Sequence, residues 1–253
     1  MNIKGFIFDI DGVLEFQGEV CKGAVRTIDS LRDSGFILRF LTNSTLKSRK
    51  SCANKLKKKG FQIFEEEVIT ASYATAVYLQ DLNPKSCWIM LEREGMHEFK
   101  HFIHDLETPE YIVMGDFRTN FNFKNLNKAL RLLLKGANFI IMIPELVDHS
   151  MGEIALNVGS WGQMLEKASG VKATYIGKPN PCMFELTLKS MNLDKSEVIM
   201  VGDQVSTDIK GAQNFGIRSI LLRTGEFNER DLTSDSKPDF VLDSIQNILK
   251  LIN

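Results

Sequence analysis

Two aspartates two residues apart, Asp9 and Asp11, follow the apolar run Gly5 to Phe8 and precede Gly12. Side chains two apart on an extended strand share a face, and glycine then lets the backbone bend away. Such a pair can hold a hard cation and place a nucleophile beside an acid/base group. An ordinary D-x-D-G turn has the same letters. Leu41-Thr42-Asn43-Ser44-Thr45 offers hydroxyls, an amide and turn N–H groups suited to an anionic oxygen, and Ser44 or Thr45 as a helix N-cap is its plainer use. In Gly177-Lys178-Pro179-Asn180-Pro181, Pro179 disfavours helical backbone at Lys178. Asn180 can then cap the next helix, with Pro181 in its first turn. The fourth segment runs from Val201 to Asp208. Asp203 ends an apolar strand, and Asp208 starts a helix whose dipole alone already favours a carboxylate.

Short apolar runs must position these groups. Gly5 to Ile10, Phe36 to Leu41, Tyr111 to Met114, Phe139 to Ile143, Val198 to Val201 and Ser219 to Leu222 predict strands buried on both faces. Helices are expected near 23–34, 46–59, 71–81, 123–135, 181–191 and 206–215, the last ended by Gly216. Alternating strands and helices predict an α/β fold with a parallel sheet, which binds ligands beyond the carboxyl ends of its strands. That edge would carry two Asp, then Thr, Lys and two more Asp. The set can bind Mg²⁺ and phosphate and carry out phosphoryl transfer, since clustered carboxylates and a phosphate dianion share a pocket only when cations neutralise them.

Composition narrows the classes. A length of 253 residues allows one large domain or two modest ones, and 43% hydrophobic residues argue against disorder. Thirty-one Lys+Arg against 32 Asp+Glu give a net charge of −1, so no general nucleic-acid surface is expected. No apolar run approaches the roughly 20 residues of a membrane span, and the N-terminus does not read as a signal peptide. Cys21, Cys52, Cys87 and Cys182 form no C-x-x-C pair and read as free thiols. These features predict a cytoplasmic protein. Lys55, Lys57, Lys58 and Lys59, followed by Glu65 to Glu67, read as a solvated helix end and loop.

With these residues in order, the sequence resembles the haloacid dehalogenase (HAD) superfamily of phosphohydrolases. D-I-D-G-V-L, L-T-N-S, G-K-P-N-P and G-D-Q-V-S-T-D match its four motifs, and the match spans essentially the whole chain. The insertion between motifs two and three resembles the type II subclass. Ile69 to Ala76, and Gly115-Asp116-Phe117 followed by Phe121 to Leu134, resemble its II-A branch, which includes 4-nitrophenylphosphatase-like, sugar-phosphate and phosphoglycolate phosphatases. The chain also resembles the phospholysine/phosphohistidine/inorganic-pyrophosphate phosphatase group and its uncharacterised relatives. The resemblance implies a Rossmann-like parallel-sheet core over 1–73 and 176–253 and an inserted α/β C2-type cap over 74–175. It implies Asp9 as the nucleophile forming an aspartyl-phosphate and Asp11 as the general acid/base. Mg²⁺ would be held by Asp9, Asp203 and the carbonyl of Asp11, with Asp208 supporting, while Thr42, Asn43 and Lys178 bind the phosphoryl group. The partner it implies is a small phosphorylated substrate, and a homo-oligomer is allowed. At Ile143-Pro144-Glu145-Leu146-Val147-Asp148-His149 the chain departs from many II-A members, which carry a T-N-P-D-like stretch and a Pro/Gly-rich substrate loop, so the resemblance transfers no particular leaving group.

Two other classes compete. His97-Glu98-Phe99-Lys100-His101 fits the zinc-protease pattern H-E-x-x-H, with His104 one turn further on. No third ligand follows at a known spacing, and a polar helix face accounts for the string. A non-hydrolytic, phosphate-responsive signalling protein could also combine Asp, Thr and Lys around Mg²⁺. The long insertion and the Asp203 to Asp208 segment speak against it.

Overall fold

The computed structural model describes residues 2–148 and 154–252. The chain opens with β1 (Gly5–Asp9), a small hairpin of β2 (Glu15–Phe16) and β3 (Glu19–Val20), α1 (Ala24–Asp33) and β4 (Ile37–Thr42). It continues through α2 (Arg49–Lys58), β5 (Val68–Thr70), α3 (Ala71–Leu82), β6 (Cys87–Met90), β7 (Tyr111–Met114), α4 (Phe123–Leu134) and β8 (Asn138–Ile141). A short antiparallel pair, β9 (Val147–Asp148) and β10 (Ala155–Leu156), precedes α5 (Val158–Ser169), β11 (Thr174–Tyr175) and α6 (Pro181–Met191). β12 (Val198–Gly202), α7 (Lys210–Phe215), β13 (Arg218–Leu222), β14 (Phe240–Leu242) and α8 (Leu249–Ile252) complete it.

The chain divides into two compact units, 1–42, 52–69 and 178–253 in the first, 43–51 and 70–177 in the second. The first is built on a sheet of order β14-β13-β12-β1-β4-β5, parallel from β14 through β4. β1 and β12 are buried at every position, which is why their sequences are apolar without alternation. Phe6, Phe8, Phe40, Val201 and Ile220 form the core with Ile28 and Leu31 of α1 and Leu56 of α2. The Phe8 ring stacks on Phe6 at 5.8 Å and on Phe40 at 6.0 Å between centroids.

The second unit has its own parallel sheet of order β11-β8-β7-β6. Among the described residues no helix is long and apolar enough to cross a membrane. Of the divergent stretch 143–149, residues to Asp148 are described and His149 lies outside the described residues.

Each of the six expected strands and six expected helices has a counterpart, with informative shifts. α2 starts at Arg49, and its first turn is capped by Ser48, whose hydroxyl accepts from the Ser51 N–H at 3.2 Å. Ser44 and Thr45 are therefore not its N-cap. Thr45 instead accepts the Asp116 N–H at 3.1 Å. The expected helix over 206–215 begins as a π-helical turn, Val205–Ile209, before α7, which Gly216 ends in the left-handed region at φ 83°. α5 had no sequence signal because Gly159 and Gly162 lie within it. A β-carbon at Gly159 would meet the Pro144 carbonyl at 2.1 Å, and one at Gly162 would meet Ile141 at 2.4 Å. Close packing there outweighs glycine's poor helix propensity. The lysine run is not simply solvated, because Lys55 and Lys59 both reach the buried carboxylate of Glu15.

Candidate active site

The first unit's sheet reverses its winding between β1 and β12. From β1 the chain builds outward through β4 on one side, then returns to lay β12 and β13 on the other. Ligands of parallel α/β sheets bind at the carboxyl ends of strands at such a point. Asp9 is the last residue of β1, and Asp203 immediately follows β12.

Lys178 Nζ donates to Asp9 Oδ1 at 2.7 Å and to Asp208 Oδ1 at 2.6 Å. Its side chain is 2% exposed and that of Asp208 not at all. Asp9, Asp203 and Asp208 each bring a carboxylate oxygen within 4.8 Å of the others, the only such group of three among the described residues. Asp208 has both oxygens engaged, Oδ1 by Lys178 and Oδ2 by the Gln204 N–H at 3.2 Å. The π-helical turn presents it there, a distortion common at functional sites.

Asp203 is different. Its Oδ2 accepts the Glu226 N–H at 2.7 Å, but its buried Oδ1 has no hydrogen-bond partner. The backbone closes tightly on this carboxylate. A β-carbon at Gly12 would lie 2.0 Å from its Oδ2, and one at Gly225 would lie 2.1 Å from it, both in the left-handed region. The Thr224 hydroxyl donates to the Gly12 carbonyl at 2.7 Å, tying the loop after β13 to the Asp9-to-Leu14 turn. Thr224, Gly225 and Glu226 were not anticipated. Their one signal was position, a Thr-Gly pair just beyond the carboxyl end of a buried strand.

Burial pushes the Asp9 carboxyl well above its ordinary range; Lys178 opposes this, while Asp208 and Asp203 add to it. Asp203 is pushed up to about 8, by burial first and then by Asp208. Burial would lower Lys178, but Asp208 and Asp9 outweigh it and hold the ammonium above its usual range. One lysine among three buried carboxylates leaves excess negative charge, and Asp203 Oδ1 is an oxygen without a donor. An oxygen-seeking divalent cation fits both features.

Of the remaining expected site residues, Asp11 is exposed, and its Oδ2 lies 3.4 Å from the buried Thr42 hydroxyl. Asn43 follows Thr42 in the chain but belongs to the second unit, where its Nδ2 donates to Glu145. The H-E-x-x-H string gathers no metal site among the described residues. It lies in a 3-10 turn, Arg93–Phe99, that ends before His101, so the histidines do not share an α-helical face. Glu98 accepts the Arg49 N–H at 2.8 Å, and the His101 ring packs on Phe102 at 4.1 Å.

Residues 6–102 match a family described as haloacid dehalogenase-like hydrolase, and residues 175–248 match a HAD-hydrolase-like family. A dihydroxyacetone phosphatase of Corynebacterium glutamicum is 30% identical over 98% of this chain and 91% of its own length. A phospholysine phosphohistidine inorganic pyrophosphate phosphatase of Danio rerio is 34% identical over 91% of this chain and 86% of its own. Among solved structures, a 4-nitrophenylphosphatase from Thermotoga maritima superposes with a TM-score of 0.93 at 28% identity, covering 100% of this chain and 98% of that one.

Proposed function

The chain belongs to the haloacid dehalogenase-like hydrolases, and from that premise we propose that it is a Mg²⁺-dependent phosphatase acting through an aspartyl-phosphate on Asp9. Phosphatase is the activity in the names of the Corynebacterium glutamicum and Danio rerio relatives and of the Thermotoga maritima structure. The carrying observation is Lys178 held between Asp9 and Asp208, beside a buried Asp203 oxygen with no donor. In this reading Lys178 binds the phosphoryl group, Asp9 is the nucleophile and the Asp203 oxygen faces the cation.

The Asp9 carboxylate attacks phosphorus in line as the bond to the leaving oxygen breaks, and Asp11 gives that oxygen its proton. Asp11, now a carboxylate, takes a proton from the water that attacks phosphorus in the second step. Inorganic phosphate leaves and Asp9 is restored. Lys178 offsets charge between Asp9 and the phosphoryl oxygens, while the Thr42 hydroxyl and Asn43 N–H hold those oxygens. Asp9, Asp203 and the Asp11 carbonyl would hold Mg²⁺, which would supply electrostatic stabilisation of the phosphoryl group. Asp208 orients Lys178 and closes the set.

The substrate we propose is small and phosphorylated: a phosphomonoester first, then a phosphoramidate or pyrophosphate. Residues 1–73 and 176–253 serve in this reading as the catalytic core and 74–175 as the C2-type cap. A cytoplasmic location belongs to the same proposal, supported by four free cysteines. Asp9→Asn should abolish phosphate release from p-nitrophenyl phosphate, dihydroxyacetone phosphate, phospholysine and pyrophosphate while leaving the circular dichroism spectrum unchanged. Substantial metal-dependent turnover in that variant would contradict the assignment.

A further inference from the structure

Glu15 lies one turn beyond Asp11, with its carboxylate 2% exposed. Lys55 pairs with its Oε1, and Lys59 Nζ reaches its Oε2 at 2.5 Å. The two lysines are four residues apart, Lys55 in the last turn of α2 and Lys59 just beyond its end. Lys59 also donates to the Gly18 carbonyl at 2.5 Å, in the turn joining β2 to β3. The backbone of Glu15 meanwhile closes the turn that carries Asp11. Its carbonyl accepts the Gly12 N–H at 2.7 Å, its own N–H donates to the Ile10 carbonyl at 3.2 Å, and Asp11 and Glu15 form a β-bridge. The side-chain anchor and the Asp11 turn are therefore one unit of backbone.

An ionised carboxylate at this depth is costly unless paired. Burial pushes Glu15 upward, but the ammonium groups of Lys55 and Lys59 beside it outweigh this and hold the group below its ordinary range. The anchor is an ion triad, and its geometry depends on both ammonium groups. An apolar residue at this position would satisfy burial more simply. It would not fix the hairpin at two points, the Glu15 side chain and the Gly18 carbonyl.

We propose that Glu15, Lys55 and Lys59 are positioning residues that hold Asp11 where it can protonate the leaving oxygen. This rests on the acid role proposed for Asp11. The triad touches neither the phosphoryl group nor the cation, so its effect should appear only when departure needs a proton. p-Nitrophenolate leaves readily without one, whereas phenolate, of nearly the same size, depends far more on the acid. kcat/KM reports the steps through departure of the leaving group and is not affected by the later attack of water.

The test compares kcat/KM for phenyl phosphate and p-nitrophenyl phosphate in the Mg²⁺-loaded enzyme. A general acid contributes about 10²–10⁴-fold, so a displaced one should cost at least about tenfold on phenyl phosphate. Glu15→Gln and Lys59→Met are expected to lower the phenyl to p-nitrophenyl ratio by that factor, and Lys59→Arg to restore it. Lys59→Met keeps the Lys55 pair and decides the matter if Glu15→Gln does not fold. Asp11→Asn is the control. If it leaves the ratio unchanged, the acid assignment itself fails. If it lowers the ratio while folded Glu15 and Lys59 variants lose both substrates equally, or neither, the positioning role is overturned.

Discussion

Lys178 and Asp208 form a 2.6 Å ion pair in which neither side chain reaches solvent to any useful extent. The same ammonium holds Asp9, so one side chain compensates two buried carboxylates. Removing one partner of a buried pair typically costs about 3–5 kcal/mol, because the remaining charge is left uncompensated. Lys178→Met should lose roughly that much stability in urea denaturation of the metal-free protein, and should lose turnover with it. Added Mg²⁺ should recover part of the stability and none of the turnover. A Lys178→Met protein as stable as the parent would show that the carboxylates are not held by this pair.

The raised carboxyls make a prediction about pH. Asp203 is pushed from an ordinary 3.8 up to about 8, by burial and then Asp208, and Asp9 moves the same way. A carboxyl that binds its proton more tightly folded than unfolded stabilises the fold below its unfolded pKa. That contribution is lost as pH rises through the folded value. The metal-free protein should therefore melt at progressively lower temperature between about pH 4 and pH 8. Saturating Mg²⁺ should flatten the upper part of this curve, since a bound cation replaces the proton. Thermal denaturation at several pH values, with Mg²⁺ and with chelator, checks this. A chelator curve that rises or stays level over the interval would refute the electrostatic account of the site.

The sheet and the places of Asp9 and Asp203 were legible because β1 and β12 are buried, apolar runs that give way abruptly to an aspartate, whereas Lys178 and Asp208 lie outside the strands, before α6 and in the π-helical turn. Burial on both faces produces that pattern, and parallel topology then brings the strand ends to one edge. What was not legible depends on contacts distant in sequence. Glu15 reads as a surface residue until Lys55 and Lys59 arrive from α2. Gly225 looks like any loop glycine until Asp203 is seen to occupy the space its β-carbon would take. α5 lacks a local helix signal because its glycines serve packing against Pro144 and Ile141. The H-E-x-x-H string misleads for the opposite reason. Its spacing matters only on an α-helix, and the backbone there is a 3-10 turn.

Asp203 and Asp208 differ in what their oxygens already hold, and isosteric substitution should separate them by sign. Asp203 has one buried oxygen without a partner. In Asp203→Asn the side-chain carbonyl can keep the Glu226 N–H, and the new amide N–H₂ faces neighbouring carboxylates. The metal-free variant should thus be more stable than the parent at pH 8, where the parent is already partly charged. Its Mg²⁺ affinity should fall by at least about 10–100-fold, the loss usual even for groups that only support a metal ligand. Asp208 instead serves the Lys178 ammonium on one oxygen and the Gln204 N–H on the other. An Asn there must turn an N–H₂ towards one of those donors, so Asp208→Asn should be less stable than the parent with or without Mg²⁺. Calorimetric titration with Mg²⁺ and melting at pH 8 measure both quantities. Equal destabilisation of the two variants would mean that the unpartnered Asp203 oxygen is not reserved for a cation.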